Sequence, residues 1–305
     1  MSQTCQNRTP ARFHLPGLFE FTEFYKAFLP LWREHREYFR ADCEIASIYG
    51  APGDCLWGGG RVGCGQDDAH EVAALMREYG LSARLTFSNS LLRSEHMADE
   101  RCNALCELFE HNGGAKNGVI VHSELLLDYL RRRYPGFCFI SSTTKTLTRW
   151  EEFAAELGRE EFAWVVPDFR LNKQLSRLYA LPQAQKDKVE FLCNECCSFS
   201  CADRKACYES VSRLALGEEG EAHICRAPGA SEGYLFSRAM KNPGFIDPEE
   251  IRTIYQPMGF SNFKLEGRGL GSALLLEFLL YYLVRPEYRL TVREKLYLSS
   301  SLDLF

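Results

Sequence analysis

At 305 residues, 46% of them hydrophobic, the chain has material for one large core or two small ones. Its 41 acidic and 36 basic side chains leave a net charge of −5, which excludes a bulk pull toward nucleic acid or acidic lipid. The opening MSQTCQNRTPARFH lacks the apolar run of a signal peptide, so a cytoplasmic protein in a reducing compartment is expected.

Residues 1–11 read as a flexible N-terminus. Eight short β-branched or aromatic runs follow: RFHLP (12–16), EIASIY (44–49), ARLTFS (83–88), GVIVHS (118–123), FCFISS (137–142), FAWVVP (162–167), KVEFLC (188–193) and NFKLEG (262–267). Amphipathic stretches such as EFYKAFLPLWREHREYF and SELLLDYLRRRY lie between most of them. This alternation predicts an α/β fold, a (β/α)8 TIM-type barrel over 12–305 with an enlarged, cysteine-bearing seventh connection at 194–260. A doubly wound sheet is the alternative, but it would more often carry a glycine fingerprint after its first strand, where LPGLFEF has none. The glycine-dense WGGGRVGCGQ (57–66) reads as a βα loop, or as an anion cradle built from backbone N–H groups. The apolar run at 273–284 is too short to span a bilayer and contains Glu277, so it reads as a core helix and no membrane is expected.

A barrel places its active site where the strands end. Lys264, Glu266 and Arg268 share one face of the last strand at period two. Strand four ends with His122 and Glu124 on a common face, strand three with Thr86, Ser88 and Asn89, and strand six runs into Asp168, Arg170 and Asn172. Strand seven ends at Asn194 and Glu195. Each has an ordinary structural explanation, such as an internal salt bridge for Lys264 and Glu266 or a helix N-cap for Asp168. Together they describe a wet, charged pocket at one mouth. Lys264 and Arg268, with Asn194, Asn172 and Asn89, are the expected binders of a small anionic substrate. Glu266, Glu124, Asp168 and His122 are the candidate catalytic groups.

Six of the 13 cysteines (Cys193, Cys196, Cys197, Cys201, Cys207 and Cys225) fall within 33 residues, a clustering that points to a metal rather than to disulfides. Cys193 shares its strand face with Val189 and Phe191 and reads as a core residue, as does Cys138 on strand five. Zinc would favour a second CxxC pair, which is missing. A CxxxCxxC radical-enzyme run fails because residue 204 is Arg. An iron–sulfur cluster tolerates the looser spacing of Cys197, Cys201, Cys207 and Cys225. A thiol nucleophile would not explain six cysteines.

The run KVEFLCNECCSFSC, preceded by VVPDFRLN and followed by FKLEGR, resembles the collagenase-like peptidase family. The likeness covers roughly 160–305 and rests on strand layout before that. Members carry an N-E-x-C-x3-C-like segment after a barrel strand, a later cysteine and a closing K-x-x-G-R-type motif, and several hold iron–sulfur clusters. The resemblance implies a [4Fe-4S] cluster on Cys197, Cys201 and Cys225. Cys207 stands where some relatives have histidine and is the expected fourth ligand, with Cys196 as a reserve. It also implies the compact, barrel-only branch related to oxygen-independent hydroxylation proteins, rather than the larger peptidases. The expected function is thus an iron–sulfur enzyme performing oxygen-independent hydroxylation or other redox or hydro-lyase chemistry. The alternative is a non-catalytic iron–sulfur sensor that docks a protein partner. A peptidase is the weaker alternative, for no serine–histidine–acid set or HExxH motif is visible.

Overall fold

The computed structural model describes residues 9–59, 65–219 and 223–298. Part of the glycine-dense stretch (60–64) and most of the N-terminus (1–8) lie outside them. All eight expected strands form: β1 (Ala11–Pro16), β2 (Cys43–Gly50), β3 (Ser82–Phe87), β4 (Gly118–Val121), β5 (Cys138–Ser141), β6 (Phe162–Val165), β7 (Glu190–Leu192) and β8 (Asn262–Lys264). They are parallel, in the order β6-β5-β4-β3-β2-β1-β8-β7. A bridge between Val165 and Val189 joins the two ends, so the sheet is a nearly closed (β/α)8 barrel.

The outer shell comprises α1 (Thr22–Glu34), α2 (Ala69–Tyr79), α3 (Glu100–Glu110), α4 (Glu124–Arg133), α5 (Trp150–Leu157), the short α6 (Leu175–Tyr179) and α7 (Gln183–Lys186), α8 (Arg204–Ala215), α9 (Phe236–Ala239), α10 (Pro248–Glu250), α11 (Ser272–Tyr282) and α12 (Arg289–Leu298). Side-chain caps explain several starts: Asp68 accepts from the amides of His70 and Glu71, and Ser123 from that of Leu126. The apolar run at 273–284 is α11, with Leu275, Leu276, Phe278, Leu279, Leu280 and Tyr282 buried. The seventh connection holds α8, α9 and α10 but, among the described residues, no strand.

Strand alternation divides the interior in two. Outward-facing Phe13, Leu85, Val119, Phe191 and Phe263 pack with the helices in the main core. Tyr49, Ile120, Ile140, Val166 and Leu192 form a small apolar cluster inside the barrel. Beneath that cluster lies a charged layer. Glu190, fully buried, is hydrogen-bonded to Arg84, with Lys264 Nζ at 3.5 Å and His14 Nε2 at 3.6 Å. The Arg84 guanidinium lies 4.3 Å from the Trp164 ring centroid.

Burial pushes His14 down to about 3, so its ring is neutral at physiological pH. Burial pushes Glu190 up, but His14, Arg84 and Lys264 outweigh it and hold the carboxyl at about 2. With His14 neutral above its own titration, Arg84 and Lys264 do that work at pH 7. For both groups the folded pKa lies below the ordinary value of 4.5 for Glu and 6.5 for His. The unfolded chain therefore binds more protons on acidification, and stability must fall. The His14 contribution is lost from about pH 6.5 down to 3, and that of Glu190 from about 4.5 down to 2. Urea midpoints at pH 7, 5 and 3.5 should decline progressively. Glu190→Gln should lower stability at pH 7 by ~3–5 kcal/mol, because it strands buried cations. A wild-type urea midpoint in that variant would refute the pairing.

Candidate functional site

Above the charged layer, the C-terminal ends of the strands surround a cavity of about 140 Å³. Thr86 and Ser88 extend the inward face of β3, Ser142 follows β5, and Thr143 and Thr144 belong to the 3-10 turn after it. Lys264 ends β8 and Glu266 lies in the segment after it, Glu195 and Cys196 come from the segment after β7, and Tyr208 from α8. Lys264 is buried with Nζ 3.9 Å from the Tyr49 ring centroid. Burial lowers it to about 8, with Glu190 opposing the shift. Glu266 Oε1 accepts from the Cys196 amide (3.0 Å), and Glu195 Oε1 from the Cys197 amide (2.9 Å). Glu195, Cys196 and Glu266 bring one ligand atom each within 4.8 Å of one another.

A second cavity, of about 480 Å³, is lined by Cys196, Cys197, Cys201, Cys207 and Cys225 together with His223. The seventh connection thus brings the expected ligand cysteines to one hollow at the barrel mouth. The first four are half-buried and Cys225 is exposed. Soft sulfur donors in this number suit zinc or an iron–sulfur cluster. Cys193 is elsewhere: it is buried in the main core, where burial pushes its thiol up. Cys138 is half-buried against the inner apolar cluster and hydrogen-bonds the Asn117 carbonyl.

Several expected site residues hold the cysteine loop. Asp168, fully buried, caps the turn at Phe169–Leu171 and pairs with Arg170 (3.0 Å). Arg170 donates to the carbonyls of Phe199 (2.7 Å) and Cys201 (2.6 Å). Arg204 pairs with Glu195 and lies 3.6 Å from Asp168. Asn242 donates to the Cys197 carbonyl (2.9 Å). No sequence signal marks Arg204, at the start of α8, or Asn242, in a loop, as ties of this segment.

The three asparagines bind backbone. Asn172 donates to the carbonyls of Leu192 and Gly244. Asn194 Nδ2 donates to the Glu266 carbonyl and its Oδ1 accepts from the Glu266 amide, extending the β7–β8 pairing past its last rung. Asn89 Nδ2 donates to the carbonyls of Leu56 and Ser212, and its Oδ1 accepts from the Leu91 amide.

His122 and Glu124 do not share a strand face, because β4 stops at Val121, Ser123 caps α4 and Glu124 opens that helix. His122 bonds Thr144 Oγ1 at 2.8 Å, and burial, aided by Lys145 and Lys205, lowers it to about 4. Glu124 is exposed beside Arg159 and Lys145; the Arg159 guanidinium, then Lys145, holds it at about 2. Arg268 lines the mouth, but its Nε pairs with Glu20 at 2.8 Å while its other nitrogens donate to the carbonyls of Gly59 and Ala51.

No protein-family model matches the chain, and no curated protein matches its sequence. Among solved structures, the fold resembles that of the U32 peptidase Mk0906. The TM-score is 0.52, with 12% identity over 88% of this chain and 96% of that one. At that identity the likeness is one of fold. Among the described residues, no helix is long and apolar enough to cross a membrane.

Removal of Arg268 tests its place in this frame. Arg268→Ala leaves the buried Glu20 carboxylate without its cation, and burial already raises that group's pKa. A loss of ~3–5 kcal/mol is expected in urea unfolding. An Arg268→Ala protein as stable as wild type would show that the pair does not hold the loops.

Proposed function

We propose that the chain is an iron–sulfur enzyme that acts without molecular oxygen on a small anionic molecule held in the barrel mouth. The observation that carries this reading is a shared wall: Cys196, Tyr208 and Leu270 line both the cysteine cavity and the mouth cavity. Cys197, Cys201 and Cys225 would hold a [4Fe-4S] cluster, with Cys207 as fourth ligand and Cys196 in reserve. Such a cluster supplies electron transfer or, at an iron with an open position, Lewis acidity.

The remaining work falls to the chain's own side chains. Lys264, on the cavity floor, offers the charge for a carboxylate. Glu266, on the rim, is placed to exchange a proton with a bound hydroxyl or water. The inner apolar cluster closes the floor to bulk water. Arg268 and Asn194 hold the rim in shape through Glu20, two carbonyls and the backbone of Glu266. The mouth is well below the roughly 300–1,000 Å³ of pockets that enclose drug-sized ligands, which favours a few-carbon molecule over a peptide segment. Oxygen-independent hydroxylation, suggested by the sequence resemblance, is the finer form of this reading. A reducing cytoplasm would suit so many thiols.

Anaerobic purification with iron, sulfide and zinc quantitation tests the cofactor. About four irons and four sulfides per chain are expected for this ligand set. Cys197→Ala, Cys201→Ala and Cys225→Ala should each strip the brown absorbance. Cys193→Ala should keep it, because that thiol is packed in the core. Colourless protein with stoichiometric zinc and no sulfide would overturn the proposal.

A further inference from the structure

Three hydroxyls at the barrel mouth have no hydrogen-bond partner among the described residues. Thr86 Oγ1, Ser88 Oγ and Thr143 Oγ1 are all buried, and all three residues line the 140 Å³ cavity. Thr86 and Ser88 are 6% and 2% exposed. Buried polar atoms are ordinarily satisfied, so three unpartnered hydroxyls converging on one small cavity mark the surface of a ligand site. Thr86 lies on the inward face of β3 and Ser88 follows that strand with the same parity, while Thr143 opens the 3-10 turn (Thr143–Lys145) just after β5.

The charges around the cavity narrow the ligand further. Two cations, Lys264 and Arg268, face two carboxylates, Glu195 and Glu266, across the same space. Glu190 behind Lys264 and Glu20 beside Arg268 offset much of the positive charge. A dianionic phosphate would want an uncompensated cationic cluster, which this balance does not provide. A single carboxylate can be met by Lys264. Ligand hydroxyls can both donate to the carboxylates and exchange hydrogen bonds with Thr86, Ser88 and Thr143. Tyr49, Ile120 and Leu192 give a short carbon chain an apolar seat.

From this arrangement we infer that the mouth binds a small polyhydroxylated monocarboxylate, an aldonic-type hydroxy acid, with its carboxylate at Lys264 and its hydroxyls along the serine–threonine wall. The inference rests on the reading of the mouth as the substrate site and is independent of which metal the cysteines hold.

The test is calorimetric titration of the full-length, anaerobically purified protein with glycerate and gluconate. Butyrate, hexanoate, inorganic phosphate and neutral glucose serve as controls. One or both hydroxy acids should bind at least tenfold more tightly than the deoxy acids, phosphate and glucose. Thr86→Val and Ser88→Ala remove hydroxyls that bond nothing among the described residues, so each should leave the thermal midpoint unchanged or raised. Each should also weaken hydroxy-acid binding by roughly 5- to 30-fold, as expected where a hydrogen bond is made only in the complex. A purely structural role for these hydroxyls would give the opposite pattern, a lowered midpoint with affinity intact. Equal binding of deoxy and hydroxy acids, preferential binding of phosphate, unchanged affinity in Thr86→Val, or failure of both hydroxy acids to bind would each overturn the inference. Iron and sulfide content, measured on the same preparations, decides the cofactor separately: selective binding by a zinc-loaded protein would leave this inference standing and remove the iron–sulfur reading.

Discussion

The carboxylate of Glu190 is the constraint on which the rest of the barrel depends. It joins the first residue of β7 to Arg84 on β3 and approaches Lys264 on β8 and His14 on β1. A buried carboxylate costs several kcal/mol to desolvate unless cations surround it, and here two do. The exchange sets the position of the Lys264 ammonium, which is held between Glu190 below and the Tyr49 ring beside it. A lysine so held reaches the mouth in one orientation only, and preorganisation of that kind is what a binding site needs. The same layer can exist only if strand register is kept, since a one-residue slip would turn Glu190 or Lys264 outward into the apolar shell.

The second organising principle is that polar side chains replace regular structure where the seventh connection leaves the sheet. Cys207 lies on α8, and the stretch before it that carries Cys196, Cys197 and Cys201 is neither strand nor helix. Its carbonyls still need donors. Arg170 and Asn242 supply them to Phe199, Cys201 and Cys197, while Asn172 and Asn194 secure the end of β7 and the chain just beyond it. Because Arg170 is itself fixed by buried Asp168, the cysteine loop inherits the rigidity of β6. The loop can therefore hold its shape through protein contacts, so the chemistry of the thiols need not be spent on folding it.

Much of this was legible in the sequence, for a definite reason. All eight strands announced themselves by β-branched and aromatic alternation, and period two correctly put Lys264 inward and Cys193 outward. Period two misled where a strand was shorter than its apolar run. The inward/outward reading of His122 and Glu124 failed because the chain turns at Ser123 into α4, and a helix does not continue strand parity. Pairing across the barrel was not legible at all. Glu20 and Arg268 meet although 248 positions apart, and Arg84 meets Glu190 across 106. Nothing local to either residue signals the other. The asparagines gave a polar signal at the right places, yet composition does not distinguish an amide that binds a ligand from one that ties down backbone.

The hydroxyl wall was the most easily overlooked part of the mouth, because serine and threonine at strand ends look like ordinary β-formers and turn residues. What distinguishes them is how their neighbours are used. Ser142 and Thr144 bond each other, and Thr144 also bonds His122. The hydroxyls of Thr86, Ser88 and Thr143 have no such partner among the described residues. A wall made of both kinds combines a fixed scaffold with unused hydrogen-bonding capacity. The scaffold keeps the hydroxyls from collapsing onto one another when no ligand is bound. The unused capacity is what a hydroxyl-bearing molecule can claim, and a purely aliphatic one of the same size cannot.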